Sequence, residues 1–117
     1  MKKVYHLSTC TTCQRIIKDL GLKDGFELQD IKVEKITETQ LDDMKALAGS
    51  YEALFSRVAR KYKELGLKEK QLSEDDYKSY ILDEYTFLKR PVVIVDEQIF
   101  IGNSKKNIES LASAIGA

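Results

Sequence analysis

The chain predicts an α/β fold, a mixed sheet interrupted by helices, and three observations carry that prediction. A short strand pattern runs into a helix and a second strand pattern within the first third of the sequence. A long central stretch then carries only helical periodicity, and two apolar runs with a last amphipathic segment close the chain. Its 117 residues, 43% of them hydrophobic, suffice for one domain around one ordinary core.

Lys3-Val4-Tyr5-His6-Leu7 reads as the first strand, and Gln14 to Leu20 places Ile16, Ile17 and Leu20 on one helical face before Gly21 stops it. Phe26 to Val33 alternates apolar and polar residues, as a strand with one buried face does. Thr37-Glu38-Thr39-Gln40 has capping-box spacing and opens a helix with Leu41, Met44, Leu47 and Ala48 at helical intervals, ended by Gly49. From Tyr51 to Leu67 the stripe Leu54, Phe55, Val58, Tyr62 and Leu65 predicts a further helix. Ser73 opens another, to Tyr85, with Tyr77, Tyr80 and Ile81 on its inner face. Pro91 to Val95 is a continuous apolar run, the mark of a strand buried on both faces. Asp96-Glu97 joins it to Gln98-Ile99-Phe100-Ile101 as a hairpin, without the glycine that the most favourable turn uses. Ser104 caps the last helix, whose stripe is Ile108, Leu111, Ala112 and Ile115. The order β-α-β, three helices, β-β-α is a thioredoxin-like (glutaredoxin-like) layout. It predicts a mixed four-stranded sheet in one domain over 1–117, with a helical insertion at about 37–88 between the second and third strands.

Both cysteines of the chain lie in Cys10-Thr11-Thr12-Cys13, at the first strand-to-helix turn. There the unpaired N–H groups and the positive end of the helix dipole favour a thiolate. A free thiol with a pKa of about 8.5 is only a few per cent ionised at pH 7, whereas one lowered to about 6.5 is mostly thiolate. Cys10 is the expected nucleophile and Cys13 the resolving thiol. His6, the single histidine, lies four residues before Cys10. Protonated, it would stabilise a thiolate; neutral, it could hydrogen-bond or accept a proton; a third reading packs it among its strand neighbours. One C-x-x-C and one histidine leave a zinc site short of its four ligands, so no metal is expected. Two unreactive cysteines packed at a helix start are the other alternative.

Lysine plus arginine and aspartate plus glutamate each number 19, so no net charge draws in nucleic acid or an anionic membrane, and neither is an expected partner. Met1-Lys2-Lys3 leads into a short mixed strand, without an apolar run of signal-peptide or spanning length, and the expected location is cytoplasmic. In a reducing compartment the pair suits cycling better than permanent bridging. The basic run Arg57, Arg60, Lys61 and Lys63 is either a solvated helix face or a contact surface.

Tyr5-His6 followed by Cys10, the segments Leu54-Phe55-Ser56-Arg57 and Lys63-Glu64-Leu65-Gly66-Leu67, and Arg90-Pro91-Val92-Val93 together resemble the ArsC/Spx family of arsenate-reductase-like proteins along essentially the whole chain. The resemblance implies that Cys10 is the reactive cysteine, that Arg90 is a functional arginine beside it, and that Pro91 is a cis proline facing it. Glutathione-dependent arsenate reductases of the family use three arginines around the oxyanion, because guanidinium groups orient such anions well. Here Arg90 is one; Arg57 and Arg60 are the candidates near the middle position, and Ile101-Gly102-Asn103 stands where the last would be. Cys13 and Gly102 bring the redox box closer to the Spx-like branch. Three functions are open, the first on the helix-terminal C-x-x-C with nearby His6 and the other two on the resemblance. The first is a thiol-disulfide oxidoreductase with Cys10 and Cys13, acting on a thiol or disulfide substrate and drawing on glutathione or thioredoxin as reductant, with no bound cofactor. The second is an arsenate reductase coupled to the same reductants. The third is an Spx-type redox-switched regulator that binds the alpha subunit of RNA polymerase.

Overall fold

Pairing of β-rich runs from the two ends of the chain builds the sheet. The computed structural model describes residues 1–116 and divides into two compact units, one of residues 1–35 with 90–116 and one of residues 36–89. In the first, β1 (Lys2–His6) pairs in parallel with β2 (Glu27–Asp30) and antiparallel with β3 (Val92–Val95), which pairs antiparallel with β4 (Gln98–Ile101). The order β2-β1-β3-β4 is the mixed four-stranded sheet that the element order predicts. In register, Val4 stands opposite Leu28 and Val93, and Val93 opposite Phe100. All four residues of β3 are buried, in keeping with its interior place. Helices α1 (Thr11–Asp19) and α5 (Lys105–Ile115) belong to this unit, and Ile16, Ile17 and Leu111 join Val4, Leu22, Val93, Val95 and Phe100 in its core.

The hairpin between β3 and β4 turns without glycine because Asp96 itself takes the left-handed conformation, with φ 56°. Aspartate tolerates that region better than most residues. The second strand is shorter than its alternation suggests. β2 stops at Asp30, Leu28 is partly exposed and Val33 is 83% exposed, while Gln29 is buried with its amide nitrogen donating to the Glu34 carbonyl at 3.1 Å. An edge strand with one neighbour need not bury every apolar side chain it carries.

In the second unit, α2 (Glu38–Ala48) begins with the capping box its sequence announces. The Thr37 hydroxyl accepts from the Gln40 N–H and the Gln40 side chain accepts from the Thr37 N–H, both at 3.1 Å. α4 (Glu74–Asp83) opens in the same way on Ser73 and Asp76. The expected helix over 51–67 is not one helix. A 3₁₀ turn at Glu52–Leu54 gives way to extended backbone at Phe55, then come the five-residue α3 (Arg60–Glu64) and a second 3₁₀ turn at Leu67–Glu69. The cause is tertiary: Phe55 bridges Leu88 in antiparallel fashion, the Ser56 N–H donates to the Phe87 carbonyl at 2.7 Å, and the Lys89 N–H donates to the Leu54 carbonyl at 2.9 Å. The stripe breaks with the helix. Phe55 is fully buried against Tyr77 and Phe87, with ring centroids 4.9 and 5.0 Å away, whereas Val58 is 94% exposed.

Phe55→Ala should therefore cost about 3–5 kcal/mol in urea denaturation, and Val58→Ala should stay within about 0.5 kcal/mol. A continuous helical stripe would have made both substitutions expensive.

Candidate active site

The two thiols lie where β1 hands over to α1. Cys10 is the residue before the helix, with extended backbone (φ −92°, ψ 107°), and Cys13 falls at its third helical position. The Cys10 N–H donates to the Leu7 carbonyl at 2.9 Å, which fixes the turn. No acidic residue occupies the first turn, so nothing there competes with an anion for the helix terminus. Cys10 is partly exposed, Cys13 is wholly buried, and both are free thiols.

Their ionisation is split in opposite directions. Burial opposes a charge on Cys10, but the Cys13 backbone N–H, the Cys13 thiol and the Arg90 guanidinium outweigh it and hold the Cys10 thiol below its ordinary pKa. Arg90 acts both through its charge and as a hydrogen-bond donor. Cys13 is pushed up to about 12, first by burial and then by its hydrogen bond to Cys10 and the negative charge there. The pair is thus unequal: an accessible cysteine that ionises more readily than an ordinary thiol, and a buried one that keeps its proton near neutral pH and donates to its partner.

The structure brings Cys10, Cys13 and Arg90 together, and the Arg90–Pro91 peptide bond is cis, as the resemblance implies. His6 is buried at the end of β1, opposite Asp30, and burial lowers its pKa against the opposing pull of the Asp30 charge. Its ring Nδ1 meets the Gln14 amide nitrogen at 3.1 Å, and the same nitrogen donates to the Leu7 carbonyl at 3.0 Å. Sequence reasoning missed Gln14; the available signal was its place one helical turn after Cys10. Arg57 and Arg60 belong to the second unit. Arg57 is engaged there, its guanidinium 2.6 Å from the Glu52 carboxylate and 3.0 Å from the Tyr77 hydroxyl, and Arg60 is an exposed residue at the start of α3. Among the described residues no cluster of histidine, cysteine and carboxylate side chains could hold a metal ion, and no helix is long and apolar enough to cross a membrane.

With this geometry established, comparison with known proteins identifies the lineage. The ArsC family model matches residues 5–111. The chain belongs to the ArsC family. Among solved structures, this ArsC-family protein is similar to a protein from Staphylococcus aureus COL, at 28% identity over 94% of this chain and 97% of that one, with a TM-score of 0.75. It is also similar to a possible arsenate reductase from Streptococcus mutans, at 25% identity, 95% and 97% coverage and a TM-score of 0.72. An arsenate reductase from Vibrio cholerae shares the fold, with a TM-score of 0.76 at 18% identity and 94% coverage of each chain. No curated protein sequence matches significantly. Membership supports a thiol-based oxidoreductase function of the arsenate-reductase kind, with a thiol reductant such as glutathione or thioredoxin.

One departure from the three-arginine pattern has a backbone cause. Gly102, where a last arginine would be sought, has φ 87°, and its N–H donates to the Pro91 carbonyl at 2.9 Å. An arginine there would sit in a conformation that L side chains rarely adopt.

Because Arg90 stabilises the thiolate and not the thiol, Arg90→Met should raise the Cys10 pKa, and alkylation by iodoacetamide below neutral pH should slow. Thiolate ultraviolet absorbance followed through a pH titration checks this. Wild type should titrate below a free thiol, and an unchanged midpoint in the variant would remove Arg90 from the site.

Proposed function

We propose that this ArsC-family protein is a thiol-disulfide oxidoreductase in which Cys10 is the attacking thiolate and Cys13 the resolving thiol. The observation that carries the reading is the unequal pair itself, an accessible cysteine held below its ordinary pKa beside Arg90 and a buried one pushed up to about 12.

The Cys10 thiolate attacks one sulfur of a substrate disulfide, a new S–S bond forms, and the other sulfur leaves with the bonding electron pair. The negative charge on Cys10 disappears in that step. Two of the influences that hold Cys13 protonated, the hydrogen bond to Cys10 and the charge there, disappear with it. Cys13 can then release its proton to solvent and attack Cys10 Sγ, expelling the second substrate thiolate and leaving a Cys10–Cys13 disulfide. Two electrons have passed to the substrate, and two equivalents of glutathione or one dithiol of the thioredoxin type restore the pair. The Arg90 guanidinium lies beside the thiolate and also suits an anionic substrate group such as a carboxylate.

Family membership and arsenate-reductase neighbours favour a second reading, with arsenate as the oxidant. The engagement of Arg57 by Glu52 and Tyr77 and the left-handed backbone at Gly102 weigh against it, since of the three oxyanion arginines they leave Arg90, with the exposed Arg60 as the remaining candidate for a second.

Cys10→Ser should abolish reduction of a small disulfide in a glutathione-coupled assay, by at least about a thousandfold. Cys13→Ser should accumulate a mixed disulfide on Cys10, seen as an added mass that dithiothreitol removes. Retained turnover in Cys10→Ser sinks the assignment. Arsenate-dependent consumption of reductant with either glutathione or thioredoxin would favour the second reading, and no turnover on disulfide or arsenate would leave the redox-switched regulator.

A further inference from the structure

The Gln14 side chain makes two hydrogen bonds through a single atom, and their combination decides the state of His6. A carbonyl oxygen only accepts, so the bond to Leu7 requires the amide nitrogen of Gln14 on that side and excludes the flipped amide. The second N–H of that nitrogen reaches His6 Nδ1 at 3.1 Å, and Nδ1 must then accept. An imidazole that accepts at Nδ1 carries its proton on Nε2 and is uncharged.

Other contacts give this arrangement a place in the site. The Leu7 carbonyl that Gln14 holds also accepts from the Cys10 N–H, so the Gln14 amide braces the turn that presents Cys10. Within that turn Ser8 donates hydrogen bonds to the Asp30 carboxylate, and Asp30 stands opposite His6 across the β1–β2 pair. Asp30 is the charged group acting on His6, and it pulls toward protonation, while burial pulls the other way; a donor at Nδ1 favours the neutral ring as well.

We propose that Gln14 is a positioning residue that fixes His6 as the neutral Nε2–H tautomer and braces the Cys10 turn through Leu7, so that the Cys10 thiolate is balanced by Arg90 without a histidine cation. The consequence is a nucleophile whose counter-charge is a guanidinium and does not depend on a histidine proton. Its purpose rests on the thiol-oxidoreductase reading, but its test does not need turnover.

With one histidine in the chain, the imidazole nitrogens give an unambiguous pair of signals in heteronuclear NMR. Wild type at neutral pH should show Nδ1 unprotonated and Nε2 protonated. Gln14→Met keeps the length and removes the donor, so the His6 midpoint should move up by about half a unit to one unit, the worth of one ordinary hydrogen bond to the neutral form. Gln14→Glu presents an acceptor in its place and should move the proton to Nδ1, with a midpoint raised further. A protonated Nδ1 in the neutral wild-type ring, or an unmoved midpoint in both variants, overturns the proposal. If Gln14→Met does not fold, the wild-type tautomer and Gln14→Glu decide. Absence of disulfide turnover in wild type would end the oxidoreductase reading while leaving the histidine result intact.

Discussion

The antiparallel pairing of β1 with β3 is the constraint on which the site depends. It sets Tyr5 opposite Val92, and the residues just beyond each strand then meet: Cys10 follows β1 across a short turn and Arg90 precedes β3. Eighty positions of sequence separate the two, and the shared register removes that distance. Without it the helix terminus and the Cys13 thiol would be left to stabilise the thiolate, and the terminus is an effect of modest size near a solvated surface. With it, a permanent positive charge works at short range in a partly buried setting, where charge interactions are stronger.

The thiols depend on one another in a way that gives the chemistry an order. Cys13 stays protonated because it is buried and because Cys10 is negative, and in that state it donates to the Cys10 sulfur. Consuming the Cys10 charge in a new bond weakens the hold on the Cys13 proton. In the proposed mechanism, a single electrostatic coupling keeps Cys13 quiet before the first bond forms and readies it afterwards. The turn itself is held by hydrogen bonds from Gln14 and Cys10 to Leu7 and from Ser8 to Asp30.

The helical unit follows a different logic. Its two capping boxes were written in local sequence and stand as written, because a cap needs only residues three apart. The stripe from Leu54 to Leu65 was written just as clearly and failed, because Leu54, Phe55 and Ser56 find backbone partners in 87–89 and Phe55 finds the rings of Tyr77 and Phe87. Burying a phenylalanine in an aromatic cluster outweighs the preference of one short segment for continued helix. Arg57, which the family resemblance makes a candidate substrate ligand, meets Glu52 and Tyr77 in the rearranged segment.

Local sequence alone determined the strands β1, β3 and β4, the caps of α2, α4 and α5, and the placing of Cys10 and Cys13 at the start of a helix. Each rests on interactions between residues a few positions apart: periodicity, side-chain caps and the turn before α1. Tertiary structure decided how Arg90, which only the family resemblance had set beside Cys10, would act on it, and it alone decided that the two thiols would split in pKa, that Gln14 would meet His6, and that the segment after Tyr51 would break. These outcomes turn on burial and on charges brought together from distant positions, and neither has a signature in the order of residues until the sheet has set its register.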